Sequence, residues 1–111
     1  MEKLKPHYEL KIVKKFFCSP STRIITRTAQ KGAVTMGYMS EGDMLAVISR
    51  LGAEHFYKSM TAYDNHKIWQ DVYRYRGEDD NALYIKVQLT VDLEKAVLIQ
   101  MKRDEGSGEQ K

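Results

Sequence analysis

Residues 56–76 read FYKSMTAYDNHKIWQDVYRYR, and the rest of the chain is organised around this stretch. Two runs rich in aromatic and β-branched residues, at 56–61 and 68–75, flank the turn-forming pair Asp64 and Asn65. This order predicts a β-hairpin closed by a loop of several residues. Rings and cations concentrate here, in Tyr57, Tyr63, Tyr73, Tyr75 and, slightly downstream, Tyr84, beside Lys58, Lys67, Arg74 and Arg76. Stackable rings beside cations favour a polyanion with flat bases over a small metabolite.

Composition limits the classes of protein to which the chain can belong. Its 111 residues leave room for one domain, which we place at residues 1–103. The single cysteine, Cys18, excludes an intrachain disulfide and a metal site built from cysteines. The net charge of +3 favours an anionic partner. The N-terminus lacks the apolar core of a signal peptide and no apolar run reaches about 18 residues, so we expect a cytoplasmic protein with no membrane partner.

Three helices are predicted before the hairpin. Apolar residues at helical spacing predict the first at residues 6–17. The second begins at Thr26 or Thr28 and runs to about Gly37, although Gly32 is unfavourable in its middle. The third follows a near capping box at residues 40–43 and ends at Gly52. A short strand is predicted at residues 22–25, between the first two helices.

Two more strands are predicted after the hairpin. Strict alternation at residues 83–89 turns Leu83, Ile85, Val87 and Leu89 to the core, so that Tyr84, Lys86 and Gln88 face outward together. In the last strand, residues 96–102, we expect Val97, Ile99 and Met101 to point inward and Gln100 and Lys102 to join the outward face. Residues 104–111 are poor in apolar side chains and are predicted to be a disordered tail.

Helices that precede strands indicate an α+β fold. We expect N-terminal helices on one face of a mainly antiparallel sheet of four to six strands, with the other face open. The chain has no Gly-rich phosphate loop, no Gly-x-Ser-x-Gly elbow and no His/Glu zinc pattern. Its three histidines are scattered along the chain, so we expect no metal site and no cofactor.

An open, cationic sheet face is suited to RNA cleavage without a metal ion. That reaction needs a proton taken from the ribose 2′-hydroxyl, charge stabilised on the phosphate, and a proton given to the leaving 5′-oxygen. Lysine stabilises charge, tyrosine or a lysine of lowered pKa transfers protons, and a glutamine amide orients the substrate. One such residue falls on each of four predicted strands: Lys58, Gln70, Tyr84 and Lys102. We expect Tyr57, Lys67, Arg74, Arg76 and Lys86 to bind the RNA.

Each candidate also has a plain structural explanation. A lysine such as Lys58 lays its apolar stem over a sheet edge while its charged end stays in water, and Gln70 can satisfy a backbone group. Tyr84 and Lys102 can be ordinary solvent-facing strand residues. Periodicity therefore identifies the face and leaves the choice of catalyst open.

The motif FYKSMT at residues 56–61, followed by His66 and by IWQDVYR at residues 68–74, resembles the MqsR toxin family, the motility quorum-sensing regulators of type II toxin–antitoxin systems. Residues 1–3, 6–7, 13–15, 26–27 and 83–86 also match, and the similarity covers roughly residues 1–102. Tyr75 stands where the family has a proline, and residues 16–40 diverge most. Such loop changes alter sequence preference and leave the phosphodiester chemistry intact.

The resemblance implies an mRNA interferase with a RelE-like fold that cuts free mRNA at short GC-containing sites without a ribosome or a metal. It implies an antitoxin that contains zinc and a helix-turn-helix, and through which alone the toxin meets operator DNA. The family's catalytic positions fall on Lys58, Gln70, Tyr84 and Lys102. Two alternatives remain: a non-catalytic regulator that binds RNA or the antitoxin, and a ribosome-dependent nuclease.

Overall fold

The computed structural model describes residues 1–77 and 81–105. This part of the chain forms a six-stranded sheet and three α-helices, in the order β1 (Glu2–Lys3), α1 (Leu10–Phe17), β2 (Arg23–Ile25), α2 (Arg27–Thr35), α3 (Glu41–Arg50), β3 (Phe56–Ala62), β4 (Asn65–Arg76), β5 (Ala82–Leu89) and β6 (Ala96–Arg103). The strand order is β1-β3-β4-β5-β6-β2, and β2 with β6 is the parallel pair. The predicted α+β class, with a mostly antiparallel sheet, is confirmed.

The core lies between the helices and one face of the sheet. Leu83, Ile85, Val87 and Leu89 of β5 are buried there, as their alternation predicted. They share the core with Val13 and Phe17 of α1, Ala29 and Ala33 of α2, and Met44, Val47 and Ile48 of α3. The third helix begins with a full capping box between Ser40 and Asp43, which satisfies N–H groups that have no partner within the helix.

The first helix begins four residues later than predicted. The backbone N–H groups of His7 and Tyr8 donate to the carboxylate of Asp71 at 2.9–3.1 Å, and Asp71 is only 1% exposed. The Tyr8 hydroxyl also donates to the carbonyl of Trp69 at 2.8 Å. These bonds hold residues 7–8 to β4 outside the helix, and the preceding residues form the unpredicted strand β1 against β3.

Gly32 allows α2 to pack closely on β6. A Cβ atom at this position would lie 2.4 Å from the carbonyl oxygen of Met101 and 3.1 Å from the Cβ of Lys102. The glycine that weakened the sequence-based prediction of this helix is thus required by a close approach between two backbones. The helix is closed by Gly37, at φ 95°, and the N–H of Tyr38 donates to the carbonyl of Ala33 at 2.9 Å.

The prediction of which β6 side chains face the core is wrong for the first half of the strand. Lys86 of β5 lies opposite Gln100, whereas the next residue, Val87, lies opposite Leu98, so Ile99 is an extra residue in a bulge. The bulge reverses the alternation before it: Leu98 faces the core, and Val97 and Ile99, which were expected there, do not. Met101 is in the core and Lys102 is exposed, as predicted.

Asp104 belongs to the fold and not to a free tail. Its backbone N–H donates to the carbonyl of Ala82 at 2.9 Å, and its carboxylate accepts from Arg74 Nε at 2.6 Å. The rest of the predicted tail, residues 106–111, and the acidic turn at 78–80 lie outside the described residues. None of the described helices combines the length and apolar character needed to cross a membrane.

Candidate active site on the open face of the sheet

The face of the sheet turned away from the helices carries the predicted catalytic side chains. Tyr84 of β5 lies directly opposite Lys102 of β6 and opposite Arg74 of β4. The Nζ of Lys102 is 5.2 Å from the centre of the Tyr84 ring, and the Nζ of Lys86 is 5.8 Å from it. Lys58 of β3 completes the group. We call Lys58, Tyr84, Lys86 and Lys102 the open-face cluster.

Lys58 is held by a carboxylate from the N-terminus. Its Nζ donates to Glu2 Oε2 at 2.6 Å, and this hydrogen bond raises the pKa of Lys58 above its usual value. Lys58 is therefore an ammonium ion at neutral pH. Glu2 was not recognised as a site residue, because it precedes Lys58 by 56 positions and no local pattern connects the two. The only sequence signal was its place in the matching residues 1–3.

Tyr84 is half-buried among cations. Burial raises the pKa of its phenol, and the charge of Lys58 lowers it in part. The hydroxyl lies 3.9 Å from the sulfur of Met60, to which it donates. Because the phenol is protonated at neutral pH, it is equipped to give a proton rather than to take one.

The pKa of Lys86 is shifted in the opposite direction to that of Lys58. It is half-buried, and burial lowers the pKa of its ammonium, with further lowering from the charges of Lys102 and Lys58. The sequence placed Lys86 among the RNA-binding residues. Its surroundings are those of a lysine that gives up its proton more readily than a free lysine.

Gln70 lines a shallow groove beside the cluster. The groove encloses about 610 Å³ and is bordered by Met60, His66, Gln70, Lys86 and Ile99 among others. Gln70 is 8% exposed, and its Nε2 donates to Gln88 Oε1 at 2.8 Å. A neighbouring side chain thus holds the amide of Gln70. The alternative raised from the sequence had a backbone group as its partner.

Three of the expected RNA-binding residues, Tyr57, Arg74 and Arg76, line a second groove beside the cluster. The guanidinium carbon of Arg74 is 4.6 Å from the centre of the Tyr57 ring. Together with Arg76 and Asp104 they line a groove of about 330 Å³. A smaller depression of about 280 Å³, lined by Tyr57, Tyr84 and Lys102, lies between this groove and the cluster.

Lys67 and Tyr73 are not brought to this site. Lys67 is exposed near the hairpin turn, in the irregular stretch between the pairs Ala62–Asn65 and Thr61–Trp69, and it lines none of the three grooves. Tyr73 is 1% exposed in the core, and burial raises its pKa to about 12. Tyr63, fully exposed in the turn, borders the groove that contains Gln70. Tyr75 packs against His55 with their ring centres 5.1 Å apart, and both border the groove of Tyr57 and Arg74.

The arrangement can bind a phosphate and stabilise added negative charge on it. Three lysines and a phenol lie on one face, and the grooves continue that face on both sides. Within residues 1–77 and 81–105, no three side chains of His, Cys, Asp or Glu come close enough together to hold a metal ion. The polar groups on this face are the amines of the lysines, the phenol of Tyr84, the amides of Gln70 and Gln88, the guanidinium of Arg74, the imidazole of His66 and the carboxylates of Glu2 and Asp104.

Comparison with known proteins places the same residues inside a family match. The family model described as "Motility quorum-sensing regulator, toxin of MqsA" matches residues 5–103. A relative from Escherichia coli, named mRNA interferase toxin MqsR, is 42% identical over 93 residues, which cover 84% of this chain and 92% of the relative. The span matched by the family model contains the whole open-face cluster and excludes Glu2.

Proposed function

Because this chain belongs to the motility quorum-sensing regulator toxin family, we propose that it is an mRNA interferase, an endoribonuclease that cuts mRNA and thereby inhibits translation and growth. It acts without a ribosome or a metal ion at short GC-containing sites and leaves a 2′,3′-cyclic phosphate. The observation that carries the proposal is the cross-strand position of Tyr84 opposite Lys102, with Lys58 and Lys86 beside them on an open sheet face.

The cations of the cluster supply the electrostatic part of catalysis. When the 2′-oxygen attacks, negative charge grows on the phosphate oxygens, and fixed ammonium groups stabilise that charge without reorganising. Lys58 and Lys102 take this role. Gln70 orients the phosphate or a ribose hydroxyl, and Tyr84 takes part in proton transfer.

The two grooves suggest the path of the RNA strand. Tyr57 and Arg74, with Arg76 beside them, offer a ring for base stacking and cations for the backbone on one side. Gln70 and Lys86 line the groove on the other side. A single strand that runs from one groove to the other places its scissile phosphate over Tyr84.

The family description names an antitoxin, MqsA, as the partner of its toxins. We propose that this chain has a cognate antitoxin of the same kind, which contains zinc and a helix-turn-helix. The toxin meets operator DNA only through that antitoxin. It acts on mRNA in the cytoplasm.

Cleavage of single-stranded RNA by the purified protein in EDTA tests the proposal. We expect cut RNA whose new ends are 2′,3′-cyclic phosphates, and loss of cutting in Lys58→Ala and Tyr84→Ala. Lys31→Ala, which removes an exposed lysine of α2 in the helical layer, is the matched control. RNA of several sequences that stays intact would identify a non-catalytic regulator. Cutting only in a translating extract would identify a ribosome-dependent nuclease.

A further inference from the structure

Lys86 is the member of the open-face cluster for which the family resemblance gives no catalytic role. We infer that Lys86 is the base that takes the proton from the ribose 2′-hydroxyl, with Tyr84 as the acid that protonates the leaving 5′-oxygen. The inference rests on the proposed ribonuclease function. The inference assigns Lys86 a catalytic role in place of the RNA-binding role predicted from the sequence.

The spacing of Lys86 and Tyr84 on β5 suits two groups that act on one phosphate from opposite sides. Lys86 and Tyr84 are two residues apart on one strand, so their side chains leave the same face about 7 Å apart along the chain. Lys86 borders the groove that contains Gln70, whereas Tyr84 borders the depression beside Tyr57 and Lys102. In-line attack requires the base and the acid to reach the phosphorus from opposite sides, and this spacing provides that arrangement.

The charges around Lys86 favour its neutral form. The titratable or charged groups on this face are Glu2 of β1, Lys58 of β3, His66 and Arg74 of β4, Tyr84 of β5 and Lys102 of β6. Met1, with its amino terminus, and Tyr63 and Asp64 of the hairpin turn border the same groove as Lys86. Glu2 pairs with Lys58 at 2.6 Å and Asp104 with Arg74 at 2.6 Å, and none of the groups that shift the pKa of Lys86 is a carboxylate. Burial and the like charges of Lys102 and Lys58 lower the pKa of Lys86.

Lys58 is the contrasting case on the same face. Its hydrogen bond to Glu2 raises its pKa, so it keeps its proton and serves as fixed charge. Two lysines with oppositely shifted pKa values divide the work between charge stabilisation and proton transfer.

The proposed step balances in protons and bonds. The neutral ε-amine of Lys86 accepts the 2′-hydroxyl proton, and the 2′-oxygen forms its bond to phosphorus. The bond from phosphorus to the 5′-oxygen breaks, and the Tyr84 phenol gives its proton to that oxygen. Lys86 has gained one proton and Tyr84 has lost one, and exchange with water returns both groups to their starting forms.

The pH profile of Lys86→Arg provides the decisive test. Initial rates are measured with single-stranded RNA in EDTA from pH 6 to 10, after subtraction of uncatalysed cleavage. In the wild-type protein we expect the rate to rise tenfold per pH unit up to the pKa of Lys86. Arginine keeps the charge but cannot act as a base, so we expect a loss of about 10²–10⁴-fold at the plateau and no such rise. Lys31→Arg is the control with an unchanged profile.

Amine rescue separates proton transfer from a structural effect. We expect small primary amines to restore part of the cleavage by Lys86→Ala in proportion to the free-base concentration, provided that circular dichroism shows an intact fold. NMR titration of the Lys86 side chain supplies a readout that does not depend on catalysis, and we expect a pKa below the ordinary value for lysine.

Each outcome supports or overturns the inference. Wild-type cleavage combined with a Lys86→Arg variant of equal rate and equal pH profile overturns the role of Lys86 and leaves the proposed function standing. A pKa of Lys86 at or above the ordinary value for lysine overturns it as well. Wild-type protein that cuts no RNA at any pH refutes the proposed function itself.

Discussion

At the scale of single residues, the charge of Lys58 depends on Glu2. The pair is partly exposed, with the Lys58 side chain 21% and the Glu2 side chain 56% accessible, so solvent screens it. Because folding raises the pKa of Lys58, the stability from this pair is fully present below pH 10 and is lost as pH rises through the folded pKa. Glu2 therefore links the N-terminus of the chain to the site.

Glu2→Gln should lower the free energy of unfolding at pH 7 by about 0.2–1 kcal/mol, the range for exposed ion pairs. Urea unfolding from pH 7 to 11 measures the difference, which should shrink as the pH rises past the ordinary pKa of lysine toward the raised pKa of Lys58. The control is Glu41→Gln, which breaks the similar pair of Glu41 with Arg23 at 2.7 Å. Since arginine keeps its proton throughout this range, the cost of that substitution should not fall at high pH. Equal behaviour of the two variants would contradict the prediction.

Tyr84→Phe separates proton transfer from base stacking. The ring and its contacts with Lys102 and Lys86 remain, and only the hydroxyl is removed. If the phenol transfers a proton, kcat for RNA cleavage should fall by about 10²–10⁴-fold while KM and thermal stability change little. Tyr38→Phe, which removes the hydroxyl of a ring packed against the core on the helical side of the sheet, is the control. Full activity of Tyr84→Phe together with inactivity of Tyr84→Ala would assign Tyr84 to stacking.

At the scale of secondary-structure elements, the contact of α2 with β6 positions Lys102. Gly32 faces the backbone of Met101 and Lys102, so the distance between helix and strand is set by the absence of a side chain. Thr26 adds a second connection, because its hydroxyl donates to the carbonyl of Ile99 at 2.9 Å. The helix thus supports the strand that carries one of the cluster's lysines.

Gly32→Ala should destabilise the protein although alanine favours helices. The gain in helix propensity is about 1 kcal/mol, but a Cβ at 2.4 Å from a carbonyl oxygen forces α2 away from β6, and we expect a net loss of about 1–3 kcal/mol. Gly42→Ala in α3 is the control, because its Cβ would meet only Ser40 Oγ at 3.7 Å. That variant should be up to about 1 kcal/mol more stable. Chemical unfolding of both variants measures the change in the free energy of unfolding for each. Changes of the same sign would refute this account.

At the scale of the whole molecule, the net charge of +3 is modest, and its placement matters more than its size. Glu2 and Asp104 form ion pairs with Lys58 and Arg74, while Lys86 and Lys102 lie beside the Tyr84 ring. RNA affinity should therefore depend on a few lysines of the open face and not on the total charge.

The salt dependence of RNA binding tests this view. The logarithm of the binding constant for single strands falls with the logarithm of salt concentration by about 0.7 for each phosphate neutralised. Lys102→Ala should therefore reduce the slope by about 0.7, whereas Lys31→Ala should leave it unchanged. Fluorescence anisotropy with 2′-O-methyl RNA, which lacks the attacking hydroxyl, measures binding without cleavage. Equal slopes for both variants would place the RNA elsewhere.

The sequence by itself determined the α+β class, the three helices and the outward face of β5, because periodicity within one element reports which of its side chains are buried. The same periodicity placed Tyr84, Lys86 and Lys102 on one face. It failed at Val97 and Ile99, because a bulge depends on the register with a neighbouring strand.

Only the tertiary structure decided the partners of the site residues. The pairing of Glu2 with Lys58, the binding of His7 and Tyr8 by Asp71 and the burial of Tyr73 each depend on how separate elements pack. Helix propensity disfavours Gly32, whereas the packing of α2 on β6 requires it. Helix propensity depends on the local sequence, but the close approach of the helix to the strand does not. Contacts between distant residues are set by the three-dimensional arrangement of the elements, which no local pattern contains.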